Sequence, residues 1–187
     1  MSESIAPARQ SARNILAFWR TAGPDRWFEE DEAFDAAIRE RFAATYEDAA
    51  SGLLGDWETS PEGALALVIV LDQFPRNMFR NSARAYAADP LARAVAARSI
   101  AKGFDRQVGM PERVFFYLPF EHSEQPEDQE RAVTLIRATG DADLLKWAEL
   151  HADIIRRFGR FPHRNAPLGR ATTADEQAFL DADGFSG

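Results

Sequence analysis

Apolar residues recur along the chain at three- and four-residue spacing, which is the period of an amphipathic α-helix. The clearest stripe follows Asp31, a residue suited to cap a helix, and runs through about residue 50. Its members are Phe34, Ile38, Phe42 and Tyr46. The strict alternation of a half-buried β-strand does not persist over any comparable length. The pattern therefore predicts an all-helical chain.

Helix boundaries are marked by N-cap residues, first-turn prolines and terminal glycines. Ser60 and Pro61 precede the most apolar run, 64–71, so we interpret that run as a buried helix rather than a strand. Gly159 is expected to end the last long helix. Further starts are marked at Asp89, Pro126, Asp141 and Thr173. These signals predict about seven or eight helices, packed as antiparallel pairs with short connections.

Length and composition indicate one globular domain without a membrane segment. We predict a single helical domain over 14–182, with tails at 1–13 and 183–187, because 187 residues suffice for one core. Residues 1–10 show no signal-peptide pattern, and the run 64–71 is far shorter than the ~20 residues that span a bilayer. The absence of cysteine excludes disulfides and fits a cytoplasmic protein, which is our expectation.

The distribution of charge is uneven. The chain carries a net charge of −8, which argues against a nucleic-acid partner. The stretch 154–174 nevertheless contains no Asp or Glu, and five arginines fall inside it: Arg156, Arg157, Arg160, Arg164 and Arg170. We call residues 159–170 the basic loop; it also holds His163 and Asn165, between prolines and glycines that restrict the backbone. Guanidinium and imidazole groups on such a loop suit capture of a carboxylate or phosphate.

A first polar motif, residues 71–77, ends the most apolar helix. Asp72 falls on the apolar face of that helix and near its C-terminus, where the helix dipole disfavours a carboxylate. A basic partner is therefore expected, either Arg76 in the same motif or Arg160 or Arg164 from the basic loop. Asp72 is a candidate catalytic residue; the alternative is a buried ion pair that fixes two helix ends.

A second motif, residues 119–124, carries a histidine between carboxylates. His122 could act as a general base oriented by Glu121 or Glu124, because a carboxylate fixes the imidazole tautomer and raises its basicity. The alternatives are that His122 caps a turn among solvated glutamates, or that these acids neutralise the basic loop. His151 lies on an apolar helical face and is better explained as a hydrogen-bonded core histidine.

Metal and cofactor sites are not expected. The chain has three histidines, none at His-Glu-x-x-His spacing, and no cysteine. It also lacks a glycine-rich phosphate loop, a dinucleotide fingerprint and a Gly-x-Ser-x-Gly elbow. A carboxylate-rich site formed by Glu121, His122 and Glu124 is the weaker alternative.

Together these motifs resemble a known bacterial family. The similarity rests on LDQFPRN at 71–77, PFEHSE at 119–124, FGRFPHRN at 158–165 and LGR at 168–170. It extends over 14–180 and matches the family catalogued as domain of unknown function 924. The resemblance implies a fold similar to tetratricopeptide-like helical arrays. It implies no reaction or substrate.

Two functions are compatible with these residues. In the first, the three motifs form a cleft between helix ends that binds a small anionic molecule. The expected ligand-binding residues are Arg76, Asn77, Arg160, His163, Arg164, Asn165 and Arg170. His122 or His163 would then act as an acid or base in hydrolysis or group transfer. In the second, an arginine-lined groove clamps an acidic peptide or a C-terminal carboxylate of a partner protein. The histidines favour the first function; enzymatic activity and oligomeric state stay open.

Overall fold

The computed structural model describes residues 9–182, and every regular element in that range is helical. The helices are α1 (Ala12–Ala22), α2 (Pro24–Trp27), α3 (Glu32–Ala50), α4 (Pro61–Val68), α5 (Phe74–Met78), α6 (Asp89–Ala101), α7 (Leu118–Glu121), α8 (Pro126–Arg137), α9 (Ala142–Phe158) and α10 (Ala174–Asp181). Short 3₁₀ helices occur at Gly55–Thr59, Ala83–Tyr86, Asp105–Gln107, Glu112–Phe116 and Pro162–Arg164. The all-helical prediction is confirmed.

The described chain separates into two compact units. The first contains 9–80 and 84–119, and the second contains 81–83 and 120–182. The single helical domain predicted over 14–182 stays a prediction. The predicted tail 183–187 lies outside the described residues, as do residues 1–8 of the predicted N-terminal tail. The helical part begins slightly earlier than predicted, because the side chain of Ser11 caps α1.

The first unit has a core of stacked and edge-on aromatic rings. Trp19 is fully buried, and four ring centroids lie 5.5 to 6.0 Å from its own, those of Trp27, Phe34, Phe74 and Phe115. Such pairs contribute about 0.5–1.5 kcal/mol each beyond the area they bury. At the start of α4 the backbone approaches closely, since a Cβ on Gly63 would lie 2.3 Å from the Trp57 carbonyl oxygen. Only glycine fits this position.

The apolar run 64–71 forms the buried helix that its start signals predict. Ser60 accepts a hydrogen bond from the Gly63 amide, and α4 continues through a π-helical turn at Ile69–Gln73 into α5. A π turn widens the helix by one residue and is frequent at functional sites. Here it contains Asp72, whose side chain is buried as the helical face predicts.

The second unit is built on the hairpin of α8 and α9. Asp141 caps α9 by accepting the amides of Asp143 and Leu144. Gly159 ends α9 in the left-handed conformation, with φ of 69°. Phe161 is fully buried against Ile154 and Ile155, with three partly buried neighbours, Leu150, Phe158 and Phe179. Both predicted boundaries of α9 are confirmed.

Two large apolar residues of the second unit are exposed. Trp147 is 50% exposed and Leu168 is 38% exposed. Trp147 lies on α9 between core-facing turns, and its large indole is rarely fully enclosed in proteins. Leu168 follows two tight turns of the basic loop, which is already fixed to the core by Phe161.

No helix within residues 9–182 is long and apolar enough to cross a membrane.

We predict that Asp141→Ala lowers the free energy of unfolding by about 1 kcal/mol, because two amides of the first turn of α9 lose their acceptor. Asp141→Asn is the matched control, since asparagine caps a helix equally well. Urea unfolding followed by circular dichroism measures the difference. Equal destabilisation by both substitutions would contradict the capping role.

Candidate functional site

The second unit brings the second motif and the basic loop together. The Arg164 Nη1 donates a hydrogen bond to the His122 carbonyl oxygen at 3.0 Å. The Glu124 carboxylate accepts the backbone amide of Phe161 at 2.8 Å. The first motif lies in the first unit. The second motif and the basic loop are therefore in contact within one unit.

The ring of Phe161 is the centre of this junction. The His151 ring lies edge-on at 5.6 Å and the His163 ring lies at 5.6 Å, centroid to centroid. The Arg164 guanidinium lies over the face of the Phe161 ring, with Cζ 4.5 Å from the centroid, and the residue is only 6% exposed. A cation placed over an aromatic face is attracted by the ring quadrupole, more strongly when it is shielded from water. Phe161 thus fixes two imidazoles and a guanidinium.

Glu121 contacts a histidine that lies far from it in the sequence. Its Oε1 lies 3.1 Å from Nδ1 of His151, and both side chains are buried. That Glu121 or Glu124 orients His122 stays a prediction. The same Nδ1 lies 2.8 Å from the Trp147 carbonyl oxygen. Because both neighbours are acceptors, Nδ1 carries a proton and donates to them.

His122 lies beside this pair, with its ring centroid 6.4 Å from that of His151. The backbone that carries it is held by Gln129, whose Nε2 donates to the carbonyl oxygens of Glu121 and Ser123 at 2.6 Å each. Gln129 is buried on α8 and was not identified from the sequence. Its position on the apolar face of α8 is the signal that could have identified it.

The basic loop is partly neutralised by acids of the same unit. Arg170 donates from Nη1 and Nη2 to the Glu124 carboxylate at 2.7 and 3.0 Å, and Nη2 also donates to the Phe161 carbonyl oxygen at 3.1 Å. Burial raises the pKa of Glu124, but the hydrogen bonds from Arg170 and the Phe161 amide outweigh burial and lower the pKa overall. An acid of the second motif therefore neutralises Arg170, which is one of the alternatives that the sequence leaves open.

A second pair ties the loop to α10. Arg160 donates from Nε and Nη2 to the Glu176 carboxylate at 2.6 and 2.8 Å. Glu176 also accepts the Thr173 amide at 2.7 Å, which completes the predicted capping box, and the Asn165 side-chain amide at 3.2 Å. The hydrogen bond from Arg160, followed by that from Thr173, lowers the pKa of Glu176 to about 2. Arg160 and Asn165 thus have partners within the chain.

In the first motif, Arg76 bridges two carboxylates. Its Nη1 lies 3.5 Å from Oδ1 of Asp72, as predicted, and the guanidinium donates to both oxygens of Asp89 at 2.9 and 3.0 Å. Burial lowers the pKa of Arg76, but Asp89 and Asp72 outweigh burial and raise the pKa overall. Asn77 donates to Asp35 at 2.7 Å. The sequence identified Asp89 only as a helix start.

Charges at the junction in the second unit are balanced. Its three arginines, Arg160, Arg164 and Arg170, stand beside three carboxylates, Glu121, Glu124 and Glu176. Within residues 9–182, no group of three or more His, Asp or Glu side chains is placed to hold a metal ion.

We expect the Arg160–Glu176 pair to stabilise the fold above pH ~4.5 and to lose its contribution as the pH falls toward ~2. The sign follows from a carboxyl whose folded pKa is depressed from 4.5 to about 2. Melting temperatures of the wild-type protein and Glu176→Gln should differ at neutral pH and converge in acid. Glu127→Gln, at an exposed position of α8, is the control and should follow the wild type. A difference that is constant over this range would contradict the assignment.

Comparison with known proteins supports the family resemblance. The family model described as "Bacterial protein of unknown function (DUF924)" matches residues 15–184. A solved structure, described as a protein of unknown function from Agrobacterium tumefaciens, is 47% identical, with a TM-score of 0.89. The alignment covers 91% of this chain and 97% of that one. The search of curated proteins gave no match. The chain therefore belongs to the DUF924 family of bacterial proteins of unknown function.

Proposed function

We propose that the protein binds a small phosphate- or carboxylate-bearing molecule at the histidine–arginine cluster, by which we mean His122, His151, His163 and Arg164. One observation carries this proposal. A buried guanidinium and two imidazoles converge on one aromatic ring, with His122 next to them. Such a grouping in a chain of net charge −8 favours a local anion.

Preorganisation supports the role of Arg164. Its guanidinium is held by the Phe161 ring and by the His122 carbonyl oxygen, so little conformational entropy remains to be lost when an anion binds. A guanidinium carries five N–H donors in one plane, which suits the paired oxygens of a carboxylate or phosphate. His122 and His163 are partly exposed and can reach a ligand from solvent.

The remaining residues expected to bind the ligand take a supporting role in this proposal. Arg160 and Arg170 fix the basic loop through Glu176 and Glu124. Asn165 adds to the first of these pairs. Arg76 and Asn77 have the equivalent role in the first unit, through their bonds to aspartates. The ligand would therefore be held by fewer groups than the sequence suggested.

Acid–base chemistry is the second part of the proposal. Glu121 contacts Nδ1 of His151, and a carboxylate in this position orients an imidazole and raises its basicity. His122 or His163 would exchange a proton with the ligand during hydrolysis or group transfer. The alternative, a tetratricopeptide-like interaction module of the cytoplasm that clamps an acidic peptide, is tested by copurifying partners.

We predict that Arg164→Ala abolishes the thermal stabilisation produced by phosphorylated and carboxylated metabolites, because it removes the guanidinium nearest the imidazoles. Arg160→Ala should weaken the stabilisation by loosening the loop. Arg156→Ala is the matched control, since Arg156 is exposed on α9 and pairs with Asp153 on the same helix. If Arg160→Ala and Arg164→Ala both leave every ligand-induced shift intact, the assignment is wrong.

Anion binding should strengthen as the pH falls from about 8 to about 6, because imidazole groups ordinarily become protonated in this range. Sulfate is the appropriate probe, since its charge is constant over these values. The difference in melting temperature with and without sulfate should be larger at the lower pH. In the double variant His122→Gln and His163→Gln this pH dependence should vanish. A pH dependence that survives in the double variant would assign it to other groups.

A further inference from the structure

A groove of about 650 Å³ lies in the first unit, between the first turns of α3 and the end of α5. Its apolar lining comes from Ala33, Ala36 and Met78. The alanines fall on one face of α3, and their short side chains leave the space that a larger residue would fill. The groove therefore lies between α3 and α5. None of its lining residues belongs to the histidine–arginine cluster.

One side of the groove is a fixed polar wall. Asp35 is 6% exposed and accepts hydrogen bonds from the Asn77 side-chain amide at 2.7 Å and from Nη2 of Arg80 at 3.1 Å. Arg80 Nε donates to the same carboxylate. The charge of Arg80 is thus balanced by Asp35, and the pKa of Arg80 is raised by this hydrogen bond. The buried member of this wall is therefore a carboxylate, Asp35.

Arg39 supplies the charge at the groove. Its Nε and Nη2 donate to the Met78 carbonyl oxygen at 3.2 and 3.0 Å. Met78 ends α5, so its carbonyl lies at the negative end of the helix dipole and fixes the guanidinium in place. Among residues 9–182, no carboxylate forms an ion pair with Arg39. The exposed carboxylate of Glu32 also lines the groove but forms no ion pair with Arg39. The Arg39 guanidinium is therefore held by a neutral carbonyl beside the apolar lining.

The donors of Arg39 define the class of ligand. A guanidinium has five N–H groups, and the Nε and Nη2 groups that point at Met78 occupy only one of its edges. The adjacent edge carries the second N–H of Nη2 and a parallel N–H of Nη1, with the spacing that the two oxygens of a carboxylate accept. The alanines and Met78 beside it offer an apolar surface with room for a short carbon chain.

We infer that this groove is a second binding site, which takes the carboxylate of a small organic acid. The carboxylate pairs with Nη1 and Nη2 of Arg39, and the alkyl part of the ligand covers Ala33 and Ala36. The polar wall formed by Asp35 limits the ligand, because a second negative charge there would face a buried carboxylate. A monocarboxylate with a short apolar chain is the ligand class that fits.

Titration with butyrate, followed by NMR of protein labelled with ¹⁵N, tests the site directly. We expect butyrate to shift the Arg39 side-chain Nε–H resonance and the backbone amides of Ala33 and Ala36, with a Kd on the order of 1 mM. Butyramide, which has the same shape without the charge, should leave these resonances unchanged. Equal shifts from butyrate and butyramide would overturn the inference.

Three variants separate the site from general effects on the fold. Arg39→Met should weaken butyrate binding about tenfold or more by removing the charge. Ala36→Leu should abolish binding by filling the groove while the bonds between Arg39 and Met78 stay in place. Arg41→Lys is the matched control, because Arg41 lies on the same helix over the rings of Phe18 and Phe42 and does not line the groove. Undiminished binding in Ala36→Leu would overturn the inference.

Phosphate provides the final comparison. Inorganic phosphate should bind this groove more weakly than butyrate, because it leaves the apolar surface uncovered; stronger binding of phosphate would overturn the assignment to a carboxylate. The test of the Arg39 groove does not depend on the function proposed for the histidine–arginine cluster. Arg164→Ala should bind butyrate at Arg39 as the wild type does, so failure of one site leaves the other testable.

Discussion

The carboxylate of Glu124 joins the two ends of the basic loop. It accepts the backbone amide of Phe161 and two N–H groups of Arg170, which lie at opposite ends of the loop. The carboxylate and its donors depend on each other. Burial raises the pKa of Glu124, whereas the hydrogen bonds from Arg170 and the Phe161 amide lower it. With the loop fixed, the Phe161 ring can hold two imidazoles and the Arg164 guanidinium. The position of the Phe161 ring within the junction follows from this interaction.

The same electrostatic rule operates in both units. Buried carboxylates are matched by arginines that approach with two N–H groups, as for Asp89 with Arg76 and Glu176 with Arg160. Such pairs satisfy charges that would be costly to leave alone in the interior. The two guanidinium groups assigned to ligands are held differently. Arg164 donates to the His122 carbonyl oxygen and Arg39 to that of Met78, so a neutral backbone group fixes each of them. A carbonyl fixes a guanidinium without itself carrying a negative charge, and these two residues are the ones on which the functional proposals rest.

Local features of the structure were predictable from local sequence. The stripe after Asp31, the cap at Asp141 and the capping box at Thr173 all lead to helices where they were expected. The pair of Asp72 and Arg76 was also predictable, because residues four apart on a helix are neighbours. Contacts between residues that are distant in the sequence were not predictable. The contact between Glu121 and His151, thirty positions along the chain, has no signal in the local sequence.

The sequence by itself determined the helical class, the helix boundaries and the presence of a basic loop in an acidic chain. These properties depend on periodicity, capping and composition, which act over a few residues. Only the tertiary structure decided which charges cancel and which guanidinium groups a neutral carbonyl holds. It also decided that Trp147 and Leu168 face outward and that Ala36 opens a groove beside Arg39. Burial and pairing of these residues depend on which helix faces pack together. The spacing of residues along the sequence does not specify that packing.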